Sequence, residues 1–395
     1  MNQKNIAEIK RRLNPEKRHP TALRGCYVDN KGHIIAQFST SVSRLPDGEN
    51  EKYMGLFKKV LSGTLGQNLL PMSYDPARDA DSEALAALMK LRDSALKDDA
   101  IAEAFYEKVI AGVMAEHADL QSLSDDATAA NWVVLMLHDG YDVPYKNSND
   151  ETDADRSTDV FSYVLCSVCP VRQTKPALSY VPADSGFHDR IQDWVIGNPE
   201  VGFMYPAFEQ RSADVYTALF YTRNSNDPHE GFLRQVFDIP ALMPATEQRE
   251  TFQAVLAASL AEECSLPVLQ AVHGTVSAMM EEHAKDKTAA PLAFTRDDLR
   301  DVLLDCGVTE QKADVFGRQY DQAFGSQTVL PAVNTIAPKQ FKVETPSISI
   351  KVDPAHTDLV QTRMIDGKCY LLIEADGDVE VNGMIVRVGG EQEEG

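Results

Sequence analysis

Two apolar runs, WVVLMLHDGYDVPY at residues 132–145 and FSYVLCSVCPV at residues 161–171, restrict what this chain can fold into more than any other part of it. Both are rich in β-branched and aromatic residues and end in turn-formers, the signature of fully buried strands rather than amphipathic helices. A buried sheet is expected around them. The candidate polar sites lie on these runs or close to them.

At 395 residues the chain is longer than one hydrophobic core usually serves, so two or three domains are expected. Its 43% hydrophobic and 25% charged residues are those of a soluble globular protein. No run approaches the roughly 18 apolar residues of a membrane span, which argues against membrane association. The start, MNQKNIAEIKRRLNPEK, has no apolar signal-peptide core, and the six cysteines are scattered as reduced thiols would be, so a cytoplasmic location is expected.

A net charge of −22 repels nucleic acid and anionic lipid at long range. The first 33 residues depart from it, with eight Lys or Arg against three acids. Such a basic arm either binds a polyanion or docks on the acidic remainder of its own chain, and docking is the favoured reading. Nucleic-acid binding is therefore disfavoured overall and is expected only through this arm.

In chain order, Ile6, Ile9 and Leu13 predict a short amphipathic helix stopped at Asn14-Pro15. CYV at 26–28 and HIIAQF at 33–38 flank a turn at 29–32 and predict a hairpin. Tyr53, Leu56, Phe57, Val60 and Leu61 follow the helical period up to Gly63. The glycines of SGTLGQN at 62–68 lack the ending and the preceding strand of a phosphate-binding loop. NLLPMSY reads as a strand, followed by two helices, one with Leu85, Leu88, Met89 and Leu96, the other capped near Asp98.

Between the two runs, residues 147–159 read as a solvated acidic loop, and PALSY at 176–180 as a partner strand. VGFMYPAF at 201–208 and DVYTALFYT at 214–222 add further strands. From Thr246 helices dominate, with one beginning after Ser265 and a Thr295–Asp298 capping box opening another. From Phe341 the pattern alternates, with Asp366-Gly367 and Asn382-Gly383 as hairpin turns, before an acidic tail. The expected fold is α+β: a mixed β-sheet domain with covering helices at 1–243, a helical subdomain at 244–330 and a small antiparallel β module at 339–390.

Four groups of residues carry chemistry in principle. His138-Asp139 with Asp142 has the residue types of metal-dependent phosphohydrolases, where imidazole and carboxylate share an ion that activates water. That chemistry needs further histidines on neighbouring helices, and His117 has no matching context, so a turn with Asp139 and Asp142 capping backbone amides is the favoured reading. Cys166 and Cys169 have the spacing of half a zinc site or a redox dithiol, but a second pair is missing and the predicted strand offers no helix dipole. Buried core thiols are preferred.

His188-Asp189-Arg190 and Glu209-Gln210-Arg211 follow apolar segments and are read as surface ion pairs ahead of a pocket lining. His229-Glu230 reads as a helix start. No nucleotide fingerprint or Ser/His/Asp arrangement is present, and no cofactor is expected.

The strings RRLNPEK, RGCYVD, FKKVLSGTLG, LHDGYDVPY, CPVRQTKPALSY and DLVQTRMIDGKCYLLIEADGDVEVNG resemble the bacterial domain-of-unknown-function family numbered 4317. The resemblance covers nearly the whole chain. It implies a cytoplasmic protein of Firmicutes-type bacteria and brings no activity, cofactor or catalytic residue. In organisation alone, a sheet domain followed by helices is also similar to nucleoid-associated proteins.

The leading expectation is a non-enzymatic interaction or regulatory protein with a protein partner or a second copy of itself. A metal-dependent hydrolase using His138, Asp139, Asp142 and His188 is the alternative, and a nucleic-acid binder using the basic arm the weaker one.

Overall fold

The computed structural model describes residues 1–116, 130–146, 152–209, 212–375 and 379–386. His117, residues 147–151 of the acidic loop, Gln210, Arg211 and the acidic tail lie outside them. The chain forms two compact units, one of residues 1–247 with 287–291, the other of residues 248–286 with 292–395.

The first unit opens with α1 (Gln3–Arg12), whose N-cap Asn2 accepts from the backbone of Asn5 while the Asn5 side chain accepts in return. Then come β1 (Ala22–Val28), β2 (Ile34–Ser41), α2 (Asp47–Val60), β3 (Leu69–Ser73), α3 (Glu83–Asp93) and α4 (Asp99–Glu116). The apolar runs form β4 (Asn131–Lys146) and β5 (Thr152–Gln173). After them follow β6 (Leu178–Val181), β7 (Gly186–Asp189), β8 (Trp194–Ile196), β9 (Val201–Tyr205), β10 (Ala207–Glu209), β11 (Ser212–Asp214) and β12 (Thr217–Thr222). A helical stretch occupies Glu230–Phe232 and Leu233–Phe237.

The main sheet has the order β2-β1-β4-β5-β9-β12-β3, with β8 paired to the end of β5. Each of its strand pairings is antiparallel, so the parallel component expected of a mixed sheet is not among them. Helices cover both faces. On one face Val134, Met136, Val164, Cys166, Phe203 and Phe220 pack with α3, α4 and Phe232, Val236 and Phe237. On the other Val133, Leu135, Leu137, Tyr163, Leu165 and Met204 pack with Ile6 and Ile9 of α1 and Met54, Phe57 and Val60 of α2. Because both faces are dry, the central strands lose the apolar–polar alternation of a half-exposed sheet and read as continuous apolar runs.

Three local expectations change. The acidic loop is shorter than expected: β5 starts at Thr152, and its pairing with β4 extends to Lys146↔Thr152. Residues 176–180 do not join the main sheet. Leu178–Val181 pairs with Gly186–Asp189 in a hairpin of its own, leaving the neighbouring position on β5 to β8 and β9. Leu96 lies beyond α3, where Ala95 and Leu96 take positive φ of 49° and 58° and turn the chain sharply into α4.

In the second unit, α5 (Ala245–Leu260, most of which belongs to it), α6 (Leu266–Lys285), α7 (Arg296–Asp305) and α8 (Glu310–Phe324) share a core of Phe252, Leu256, Val276, Leu303, Phe316 and Tyr320. The Thr295–Asp298 capping box opens α7 as the spacing predicts. A short pairing joins β13 (Ala293–Phe294) and β14 (Leu330–Pro331).

The C-terminal strands form three hairpins: β15 (Phe341–Thr345) with β16 (Ile348–Val352), β17 (Val360–Ile365) with β18 (Lys368–Ile373), and β19 (Val379–Val381) with β20 (Met384–Val386). Asp366-Gly367 and Asn382-Gly383 take positive φ at both positions, as a two-residue hairpin turn of matching twist requires. No described helix is long and apolar enough to cross a membrane.

Close packing at the centre makes a specific demand on β9. A Cβ on Gly202 would sit 2.5 Å from the Cys166 carbonyl oxygen and 3.0 Å from the Val60 side chain, whereas one on Gly140 would meet nothing within 4 Å. Gly202→Ala is expected to cost about 1–3 kcal/mol of overpacking, and Gly140→Ala far less, as read by the midpoints of urea unfolding curves.

Candidate functional site

The first group of candidate residues lies within β4, paired to residues 160–164 of β5, rather than in the turn expected of Asp139 and Asp142, because the strand pairing runs on past them, and the strand separates them. Successive side chains of a strand point to opposite faces. His138 therefore shares the face of Val134 and Met136, and Asp139 that of Leu135 and Leu137. Asp142 is exposed four residues along from His138, a distance of roughly 13 Å on an extended strand. The three do not converge on one point.

Asp139 is fully buried and holds a charge network rather than lying open. Arg12, on the last turn of α1, donates from Nε to Asp139 Oδ2 at 2.5 Å and from Nη2 to Oδ1 at 2.8 Å. Tyr163, its cross-strand neighbour on β5, donates to Oδ2 at 2.8 Å. A third bond runs from Arg12 Nη2 to the Gly140 carbonyl at 3.1 Å, and the guanidinium lies 4.5 Å from the Tyr141 ring centre. Burial works against the charge on Arg12, but Asp139 more than offsets it and the guanidinium pKa is raised. Burial, reinforced by the Asp139 charge, pushes the Tyr163 hydroxyl well above its ordinary range.

His138 is also engaged. Its Nδ1 lies 2.8 Å from Thr21 Oγ1 and its Nε2 3.0 Å from Ser162 Oγ, while its carbonyl accepts from the Thr21 backbone N–H at 2.9 Å. Burial lowers its pKa below the ordinary 6.5; Asp139 opposes the shift and Lys97 adds to it.

Cys166 and Cys169 are both fully buried, and the odd separation puts them on opposite faces, one in each core. One metal ion or one disulfide cannot span them. Burial pushes the Cys169 thiol up to about 11 and the Cys166 thiol higher still. All six cysteines are free, and Cys369 is exposed.

His188 sits on the exposed β6–β7 hairpin, its Nε2 2.7 Å from Asp184, away from the other candidates. Glu209 faces the N-terminal amine at 3.5 Å. In the basic arm, Arg12 pairs with Asp139, Arg18 with Asp47 and Arg24 with Asp99, which places those charges against the chain's own acids.

Two features escaped the reading of motifs. The first is surface: the edge strand β2 exposes Ile34, Ile35 and Phe38, and the segment around β6 to β8 exposes Leu178, Tyr180, Phe187, Ile191 and Trp194. In β2 the adjacent isoleucines are the legible sign, since a half-buried strand would alternate. The second is a convergence of Glu116, Asp227 and His229, the only group of three metal-ligating residue types to meet among the described residues. His229 precedes a helical stretch as expected, but Glu116 is too far away in sequence to signal that it meets the histidine.

Removing one partner of a buried ion pair strands the other charge, so Asp139→Ala is expected to cost about 3–5 kcal/mol, with much of this recovered in an Arg12→Leu/Asp139→Leu double variant. Equilibrium unfolding of the three proteins checks this. Because the folded His138 pKa is depressed, the unfolded chain binds more protons between that value and 6.5. The contribution of His138 is thus full above 6.5 and lost as pH falls through the folded value. Ring resonances should report a midpoint below 6.5, and His138→Gln should flatten this part of the pH–stability curve. In the native state a thiol reagent should modify Cys369 quickly and spare Cys26, Cys166 and Cys169 until the protein is unfolded.

A family model described as Domain of unknown function (DUF4317) matches residues 1–384. No curated protein and no solved structure matches the chain. The match spans both compact units, from α1 to the strands of the last hairpin, and the chain belongs to the DUF4317 family.

Proposed function

We propose that this chain is a non-enzymatic interaction protein of the bacterial cytoplasm, and that its partner is a second copy of itself, joined through β2. The open edge of the main sheet carries this reading. β2 pairs with β1 on one side only among the described strands, and its sequence IIAQFSTS contains no charged residue and no proline. Natural edges are usually blunted by charge or proline; one that lacks both is a template for an added strand.

Self-association fits the electrostatics. Two copies of a chain at −22 repel each other, and an uncharged edge is where they approach at least cost. Antiparallel pairing of identical strands about a two-fold axis satisfies both sets of backbone groups and continues the sheet from one copy into the other. The β6–β7 hairpin is also apolar but carries Asp184, His188 and Asp189, which makes it the poorer surface for self-pairing.

Light scattering coupled to size exclusion tests the reading. A dimer is expected at micromolar concentration, Ile35→Lys should return the monomer without loss of thermal stability, and Phe187→Lys should leave the dimer intact. A strictly monomeric wild-type chain would sink the proposal, as would a dimer untouched by Ile35→Lys.

A further inference from the structure

Glu116 ends α4, and Asp227 and His229 lie between β12 and the helical stretch at 230–237. Each offers one ligand atom, and the three atoms lie within 4.8 Å of one another. The His229 side chain is 7% exposed. Its Nδ1 faces Asp227 Oδ1 at 3.8 Å, beyond hydrogen-bond range, and its Nε2 is buried without a hydrogen-bond partner among the described residues. Buried ring nitrogens nearly always have partners. Neither ring nitrogen is hydrogen-bonded among the described residues, and Nδ1, the one that faces Asp227, is free to ligate an ion.

The carboxylates are held from behind. Glu116 Oε1 accepts from the Phe232 backbone N–H at 3.0 Å, and Asp227 Oδ1 accepts from the His229 backbone N–H at 3.1 Å. These bonds fix the acids in orientation, as outer contacts do for the ligands of known metal sites.

We infer that Glu116, Asp227 and His229 form a binding site for a divalent first-row transition-metal ion of the Zn2+ type. Tetrahedral coordination at about 2.0–2.2 Å places neighbouring ligand atoms roughly 3.5 Å apart. The 3.8 Å between Nδ1 and Oδ1 is already close to that, and side-chain rotation closes the remainder. An imidazole ligand argues against Mg2+ and Ca2+, which favour oxygen, and the lack of a thiolate argues against Cu(I). Two carboxylates neutralise the charge of a divalent ion, and three protein ligands leave a position for water. Bound there, the ion ties the end of α4 to the 227–229 segment.

The test is titration of the full chain, first stripped with chelator, with ZnCl2 near neutral pH in a calorimeter. Glu116→Gln and Asp227→Asn are the variants, because each keeps an oxygen to accept the backbone N–H and so preserves the fold; their metal-free melting curves should match the wild type. One equivalent of Zn2+ should bind at micromolar strength or tighter, and each variant should weaken it by roughly ten-fold or more. Asp184→Asn, at the exposed His188 pair, should leave binding unchanged. Only millimolar binding by the wild type, wild-type affinity in Glu116→Gln and Asp227→Asn, or loss of binding in Asp184→Asn would each overturn the assignment.

Discussion

The covering of one antiparallel sheet on both faces is the constraint from which the rest of the first unit follows. With α1 and α2 on one side and α3, α4 and the 230–237 stretch on the other, residues 132–139 of β4, 161–171 of β5 and all of β9 have no wet face. Each residue of these stretches must fit one of two cores. Strand geometry decides which, and it does so by the parity of the position. Cys166 and Cys169 are thereby parted, and so are His138 and Asp139.

A polar group buried within such a strand survives only when fully satisfied. Asp139 meets that condition through Arg12 and Tyr163, and the bond from Arg12 also fastens α1 to the sheet. The N-terminal segment thus docks by charge as well as by Ile6, Ile9 and Leu13. Its positive charge is in part the counterpart of acids elsewhere in the chain, as Arg18–Asp47 and Arg24–Asp99 also show. His138 is satisfied by two hydroxyls on the other face, with no carboxylate bonded to it among the described residues.

Much of the fold was legible. The central strands showed as apolar runs, the hairpin turns as Asp-Gly and Asn-Gly, and the Thr295 helix start as its capping box, because each rests on contacts between residues close in sequence. The misread parts were those fixed by distant partners. Residues 176–180 have strand composition, but only the occupied flank of β5 sends them to a separate hairpin. The acidic composition of 152–159 suggested a loop, yet pairing with β4 outweighs it in the backbone.

Residue types and local spacing, by themselves, determined the α+β class, the buried strands and the list of side chains able to do chemistry. Tertiary structure alone decided which of those side chains meet. It set the His-Asp pair back to back across a sheet, and it brought Glu116 to Asp227 and His229 from the far end of α4. The reason is physical: periodicity reports which face a residue occupies within its own element, whereas a site is made where separate elements pack, and that is settled by burial of surfaces distant in sequence.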